Sequence, residues 1–209
     1  MKFLIDTSPA KMNTLRAHTF VSGQLLTPLT GYANSGDEFG IDNGAFSRFD
    51  NLKFQRLIER EKENADRCKF VAVPDIVSNA RRTLEIFKTH VNFVSNIWPI
   101  AMVAQDGIED MDIPWWSMQA IFIGGGDPWK DSRAVADIVK TALILGKHVH
   151  VGRVNTIKRF RWFHNLGAHT CDGSGVAMYD HMLEKITREM NKEPDPTLFD
   201  ENERAENET

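Results

Sequence analysis

Six short polar clusters punctuate the chain: Asp42-Asn43-Gly44, Pro74-Asp75, Gln105-Asp106-Gly107, Gly124-Gly125-Gly126, Gly152-Arg153 and Asp172-Gly173-Ser174-Gly175. Each closes a short apolar run. In a parallel α/β fold the carboxyl ends of the strands share one edge, so these clusters would meet at a single mouth. Asp42, Asp75 and Asp172 would then stand beside Gln105, Arg153 and exposed glycine backbone. Two carboxylates around one pocket suit chemistry at a sugar carbon, where one attacks or stabilises an oxocarbenium-like centre and the other moves a proton. A third carboxylate beside an amide suits recognition of a flat heterocycle. Guanine fits, because its N1–H and 2-amino group donate to a carboxylate while its O6 accepts from an amide or a backbone N–H. Taken singly, each residue has an ordinary structural explanation, since Asp and Asn cap helices and open turns and Gly supplies positive φ. Their joint placement is what points to a site.

The elements that must position these clusters follow a strand-turn-helix beat between residues 39 and 173, which predicts α/β architecture. Seven strands are expected: Phe3–Asp6, Phe39–Asp42, Phe70–Pro74, Ile100–Gln105, Ala120–Gly124, His148–Gly152 and Ala168–Asp172. FVAVP, IAMVA and AIFIG are nearly continuous apolar runs, as in parallel strands covered on both faces. Helical stripes fall between them: Leu52, Leu57 and Ile58; Leu84, Ile86, Phe87 and Val91; and Ala134, Val135, Ile138, Val139, Ala142 and Leu143. So many crossovers in one domain favour a compact TIM-type (β/α) barrel, minimal or incomplete, over an open sheet. Residues 8–38 read as a largely irregular segment after one short helix, and a loop of that length is more often functional than decorative.

The chain has 209 residues, 42% hydrophobic and 26% charged, the proportions of an ordinary globular protein rather than a collagen or a disulfide scaffold. The two cysteines, Cys68 and Cys171, have no metal-like spacing, which fits a reducing compartment and a cytoplasmic location. MKFLIDTSPA is broken by Asp6 and reads as a strand, not as a leader or a membrane span. Of the net charge of −4, residues 191–209 hold −5, leaving +1 on residues 1–190. One domain over 1–190 and an acidic, disordered tail are therefore expected. A nearly neutral body does not exclude a nucleic-acid partner, because local clusters set phosphate contacts.

DNGAF (42–46), VPD (73–75), VAQDG (103–107), FIGGG (122–126), HVGRVN (150–155) and CDGSG (171–175) resemble, in order, the motifs of the tRNA-guanine transglycosylase superfamily. The closer similarity is to its phage and bacterial branch, the DNA 7-deazaguanine transglycosylases. The resemblance implies a TIM-type barrel that exchanges guanine in DNA for a free 7-deazaguanine such as preQ0, with no cofactor. It also implies a homodimer, and the host cytoplasm as location if the chain is phage-encoded. Carried over motif by motif, it makes Asp172 the nucleophile at C1′ and Asp42 the general acid and base. Asp75, Gln105 and the Gly124–Gly125 backbone become the readers of the base, and Phe46 a neighbour of the heterocycle.

A base inside a duplex must be flipped out before such chemistry, or the strand must already be single. Arg153, Lys158, Arg159 and Arg161, with Trp162 and with Arg81 and Arg82 after Asp75, are expected to hold the phosphates. The competing explanation is a solvated helix face. The tRNA enzymes carry a zinc site of three cysteines and a histidine near the C-terminus, and no cysteine follows Cys171 here. That departure puts tRNA in doubt as substrate. His148, His150, His164, His169 and His181 show no metal-binding spacing and read as packed or surface histidines. IGGGDPWK lacks the GxxxxGK[ST] pattern of a phosphate loop, and GSG at 173–175 makes no nucleophile elbow. Three alternatives remain at this stage: a tRNA-guanine transglycosylase-like enzyme, hydrolysis of the N-glycosidic bond by water, and a non-catalytic base- or DNA-binding barrel.

Overall fold

The computed structural model describes residues 1–35, 37–94, 97–175 and 179–191; the acidic segment from residue 192 lies outside them. Eight parallel strands close into a barrel in sequence order: β1 Lys2–Ile5, β2 Val21–Leu26, β3 Glu38–Ile41, β4 Cys68–Ala72, β5 Ile100–Ala104, β6 Ala120–Ile123, β7 His148–Val151 and β8 Thr170–Cys171. Closure is made by β1 on β8, with Lys2 opposite Thr170 and Phe3 opposite Cys171. The expected barrel class is therefore the observed one, completed within about 170 residues against the roughly 250 typical of the fold.

The strand that sequence reasoning missed is β2, inside the segment taken as irregular. Its sequence, VSGQLL, carries serine, glycine and glutamine where strand propensity asks for branched or aromatic residues. Two of these have a tertiary reason. A Cβ on Gly23 would lie 1.7 Å from the Glu38 carbonyl oxygen, so only glycine lets β3 approach. Gln24 is buried, donating to the Thr7 carbonyl and accepting from the Ser35 N–H.

Among the described residues seven α-helices lie outside the strands: α1 Pro9–Leu15, α2 Asn51–Arg60, α3 Ala80–Val94, α4 Asp127–Lys130, α5 Arg133–Ile144, α6 Ile157–Asn165 and α7 Asp180–Met190. Local chemistry starts several of them. Asp50, Ser132 and Thr156 accept from the backbone N–H three residues on, capping α2, α5 and α6. The expected stripe on α5 is the buried face, with Val135, Ile138, Val139 and Ala142 against the strands. No helix among the described residues is long and apolar enough to cross a membrane.

Alternation along each strand divides the core in two. Outward residues such as Ile41, Val71, Met102, Ile121 and Val149 join the large layer under the helices. Inward residues form a smaller plug of Leu4, Leu25, Phe70, Ala72, Ala101, Val103, Ala120 and Phe122. Phe70 and Phe122 meet edge to face at 5.7 Å. Room for them comes from Gly40, whose Cβ would lie 2.5 Å from the Phe70 ring.

Candidate active site

Above that plug, the carboxyl ends of β3 to β8 enclose a cavity of about 170 Å³. This is below the roughly 300–1,000 Å³ of pockets for drug-sized ligands and on the scale of one small heterocycle. Asp42, Asn43 and Phe46 enter it from beyond β3, Asp75 from beyond β4, Gln105 from beyond β5, Gly124 from beyond β6, Gly152 and Arg153 from the end of β7, and Asp172 from beyond β8. Ala72, Val103 and Phe122 line its apolar part. The three carboxylates, the amide and the aromatic side chain singled out from sequence thus share one pocket.

Asp42 opens the turn after β3. Its Oδ1 accepts from the Gly44 N–H at 2.6 Å, and Gly44 takes a φ of +77° that glycine adopts without strain. The turn-making role and a chemical role coincide in one side chain. Burial pushes the Asp42 pKa up to about 7, with Asp172, Asp75 and Asp6 adding to the rise and the Gly44 N–H opposing it. A carboxyl poised there can give a proton and take one near neutrality.

Asp75 is buried and held by two amides. Asn43 Nδ2 donates to one oxygen at 2.8 Å and Gln105 Nε2 to the other at 2.7 Å. Burial raises its pKa, while these two donors pull the other way by favouring the ionised form. Gln105 is itself fixed, because its Oε1 accepts from the Ser78 N–H. Asn43 was not recognised from sequence as a site residue, although it lies inside DNGAF; an amide beside the strand-ending Asp42 was the available signal.

Asp172 also accepts at both oxygens, from the Arg153 backbone N–H at 3.0 Å and from His150 Nε2 at 3.1 Å. Arg153 has a φ of +59°, an uncommon conformation for a residue with a side chain. Lys130 is fully buried, and its ammonium donates to the Gly152 carbonyl at 2.6 Å. Burial lowers its pKa to about 8, with Arg153 lowering it further and Asp172 opposing. Sequence reasoning gave no role to Lys130, and nothing local in DPWK marks it.

Several rim groups have partners within the chain. The Gly124 and Gly125 N–H groups both donate to the Ala104 carbonyl, so neither is a free donor for a base, and Gly125 does not line the cavity. Gly124 serves as space. An added Cβ would lie 2.6 Å from Val103 Cγ1 and 3.1 Å from Gln105 Nε2. Gly124→Ala is expected to weaken binding of the free base roughly ten- to hundredfold, the scale of an overpacked site, as read by titration calorimetry.

The guanidinium of Arg153 turns inward, donating to the Gly124 and Gly125 carbonyls at 2.8 and 2.9 Å. It also lies 4.4 Å from the centre of the exposed Phe46 ring, which braces that ring at the mouth. Arg159 is buried against Asp127 and Asp131, and Arg161 is paired with Glu189 on α7. Both guanidinium groups thus hold acidic partners within the chain. Trp162 packs against the core, and Arg82 pairs with Glu85. Lys158 and Arg81 remain exposed.

Among the described residues no group of three or more His, Cys, Asp or Glu is arranged to hold a metal ion. His148 and His150 lie inside the barrel, where His150 touches Asp172. The alternation in HVHV could have shown this, because it places both histidines on the face opposite Val149 and Val151. Neither a protein-family model nor a curated protein matches the chain.

Proposed function

We propose that the protein is a DNA-guanine transglycosylase that exchanges guanine for a free 7-deazaguanine through a covalent aspartyl-glycosyl intermediate. The observation carrying this reading is one small cavity in which Asp172, held at both oxygens, faces Asp42, with a pKa near 7, and Asp75, held by two amides. The motif resemblance supplies the substrate class. In the first half-reaction an Asp172 oxygen bonds to C1′ as the C1′–N9 bond breaks. The electron pair leaves with guanine, which takes the Asp42 proton. In the second half, the incoming base gives its N9 proton to Asp42, N9 bonds to C1′, and the Asp172 carboxylate is released. Two displacements at one carbon retain configuration and need no energy source.

Both half-reactions require a base read by its donors. Each Asp75 oxygen accepts from one amide, Asn43 or Gln105, and the lone pairs left toward the cavity match N1–H and the 2-amino group. Asp75→Asn would turn one oxygen into a donor facing donors. We expect kcat/KM to fall about 10²-fold or more, in line with sites whose buried polar groups are left unpaired, most of it in KM for the base. Steady-state exchange of labelled guanine measures this.

On the DNA side, the exposed Lys158 and Arg81 are the candidates for phosphate contact. The deciding experiment is nucleoside analysis after incubating the protein with DNA and each of several 7-deazaguanines. A modified deoxynucleoside appearing in step with released guanine is the expected result. Abasic product without added base would replace exchange by hydrolysis, and base binding with no release from DNA would leave a binding protein.

A further inference from the structure

We propose that His150 is a positioning residue for Asp172, the last donor in a one-way hydrogen-bond chain, His148 to Thr170 to His150, that rises through the barrel interior; the role rests on the transglycosylase reading above. His148 Nε2 lies 2.8 Å from Thr170 Oγ1, the same hydroxyl lies 2.9 Å from His150 Nδ1, and His150 Nε2 lies 3.1 Å from Asp172 Oδ2. Chemistry permits one assignment of protons along these contacts. An ionised carboxylate can only accept, so His150 Nε2 carries the hydrogen. In a neutral imidazole Nδ1 then accepts, which turns the Thr170 hydroxyl toward it. The Thr170 oxygen in turn accepts from His148 Nε2–H. Every link donates toward Asp172.

Neutrality has a physical cause. His150 is fully buried and His148 half-buried inside the barrel, and burial lowers both pKa values, that of His148 to about 3. The contact at Asp172 is thus a hydrogen bond to a carboxylate rather than an ion pair. His150 cannot turn away, because its ring is wedged between Phe70 at 4.4 Å and Phe122 at 4.6 Å. His148 is stacked on His169 at 4.9 Å.

With the Arg153 N–H on Oδ1 and His150 Nε2–H on Oδ2, the plane of the Asp172 carboxylate is fixed and its remaining lone pairs face the cavity. Orientation of that kind matters because a displacement of about 1 Å can cost on the order of 10²-fold in rate. A neutral donor suits the step better than a cation. Forming the Asp172–C1′ bond discharges the carboxylate, and a full positive partner would stabilise the charged ground state more than the transition state. His150 keeps its proton throughout, so the atoms and electrons of the exchange are unchanged.

The test uses His150→Leu, His150→Gln and Thr170→Val beside the wild-type protein. The role predicts that His150→Leu lowers kcat for exchange about 10- to 100-fold with KM and the calorimetric Kd for the free base unchanged. Glutamine, which returns a side-chain N–H, should restore most of the rate, and Thr170→Val should lower kcat by a smaller factor. Leucine and glutamine variants that both match the wild-type kcat would overturn the role. So would a fall shared equally by both variants and accompanied by loss of base binding, which signals damaged packing. Long-range ¹H–¹⁵N spectra give a readout independent of activity: His150 should be the Nε2–H tautomer, and an Nδ1–H tautomer overturns the chain. Absence of exchange in the wild-type protein with a correct His150 tautomer strikes the transglycosylase reading itself, and the positioning role falls with it.

Discussion

Asp172→Asn is expected to stop guanine release, with a loss of about 10³-fold or more, the range found when a nucleophile is removed from a covalent mechanism. An amide is too weak a nucleophile to displace guanine. The local geometry adds a second reason. Asp172 receives two N–H donors, one from His150 and one from the Arg153 backbone, and an asparagine can satisfy only one of them with its oxygen. The NH₂ end would then meet the other donor, so the side chain must rotate out of line. Release of labelled guanine from DNA and mass spectrometry of quenched enzyme measure the effect. The wild-type protein should carry a deoxyribosyl-DNA adduct that the variant lacks. Guanine release by the variant at the wild-type rate removes Asp172 from the chemistry.

Asp42→Asn should separate activity from stability. Exchange is expected to fall 10²- to 10⁴-fold, the usual range for loss of a positioned proton donor and acceptor. The pH profile carries more information than the size of the loss. Guanine departure needs Asp42 protonated and so should fade as pH rises through about 7, whereas activation of the incoming base needs the carboxylate and should fade as pH drops through the same value. Overall exchange by the wild-type protein is therefore expected to be bell-shaped around neutrality. Single-turnover guanine release should show only the alkaline decline.

Folding stability moves in the opposite sense. The folded pKa of Asp42, about 7, lies above the ordinary 3.8 of the unfolded chain, so the native state binds the extra proton between those values. Stability contributed by the protonated form is complete at acid pH and is lost as pH rises from about 4 to about 7. Asparagine keeps the acceptor for the Gly44 N–H and has no charge to bury. The variant should accordingly be more stable than wild type at pH 8, by roughly 1–4 kcal/mol, and nearly equal to it near pH 4. Urea unfolding at the two pH values reads this directly, and equal stabilities at pH 8 would refute the buried-carboxylate account of Asp42.

What could be read in advance follows from how local each feature is. The apolar runs of β4, β5 and β6 and the stripe on α5 announce themselves because burial on both faces, or on one helical face, leaves a pattern within the run itself. β2 does not, since Gly23 and Gln24 answer to Glu38, Thr7 and Ser35, residues that only folding brings near. The same division holds at the site. Strand-end positions located Asp42, Asp75, Gln105 and Asp172 in one mouth. The partners of the basic residues are not legible in advance, because a charge in the sequence does not name its partner. Arg159 finds Asp127 and Asp131 from the α4 region, and Arg153 finds the carbonyls of Gly124 and Gly125. Lys130 is illegible for a related reason, because its meaning lies in depth, which sequence spacing does not record; the HVHV alternation puts His150 on the inner face but does not name Asp172 as its partner.

The phenylalanine plug beneath the cavity bears on the order of events. Phe70 and Phe122 close the barrel beneath the cavity, which at about 170 Å³ is on the scale of one small heterocycle. Under the proposed exchange, guanine must vacate the base subsite before its replacement is seated there, so the two compete for one place. Free guanine should then act as a competitive inhibitor against the incoming 7-deazaguanine, and double-reciprocal plots at varied DNA should run parallel rather than converge.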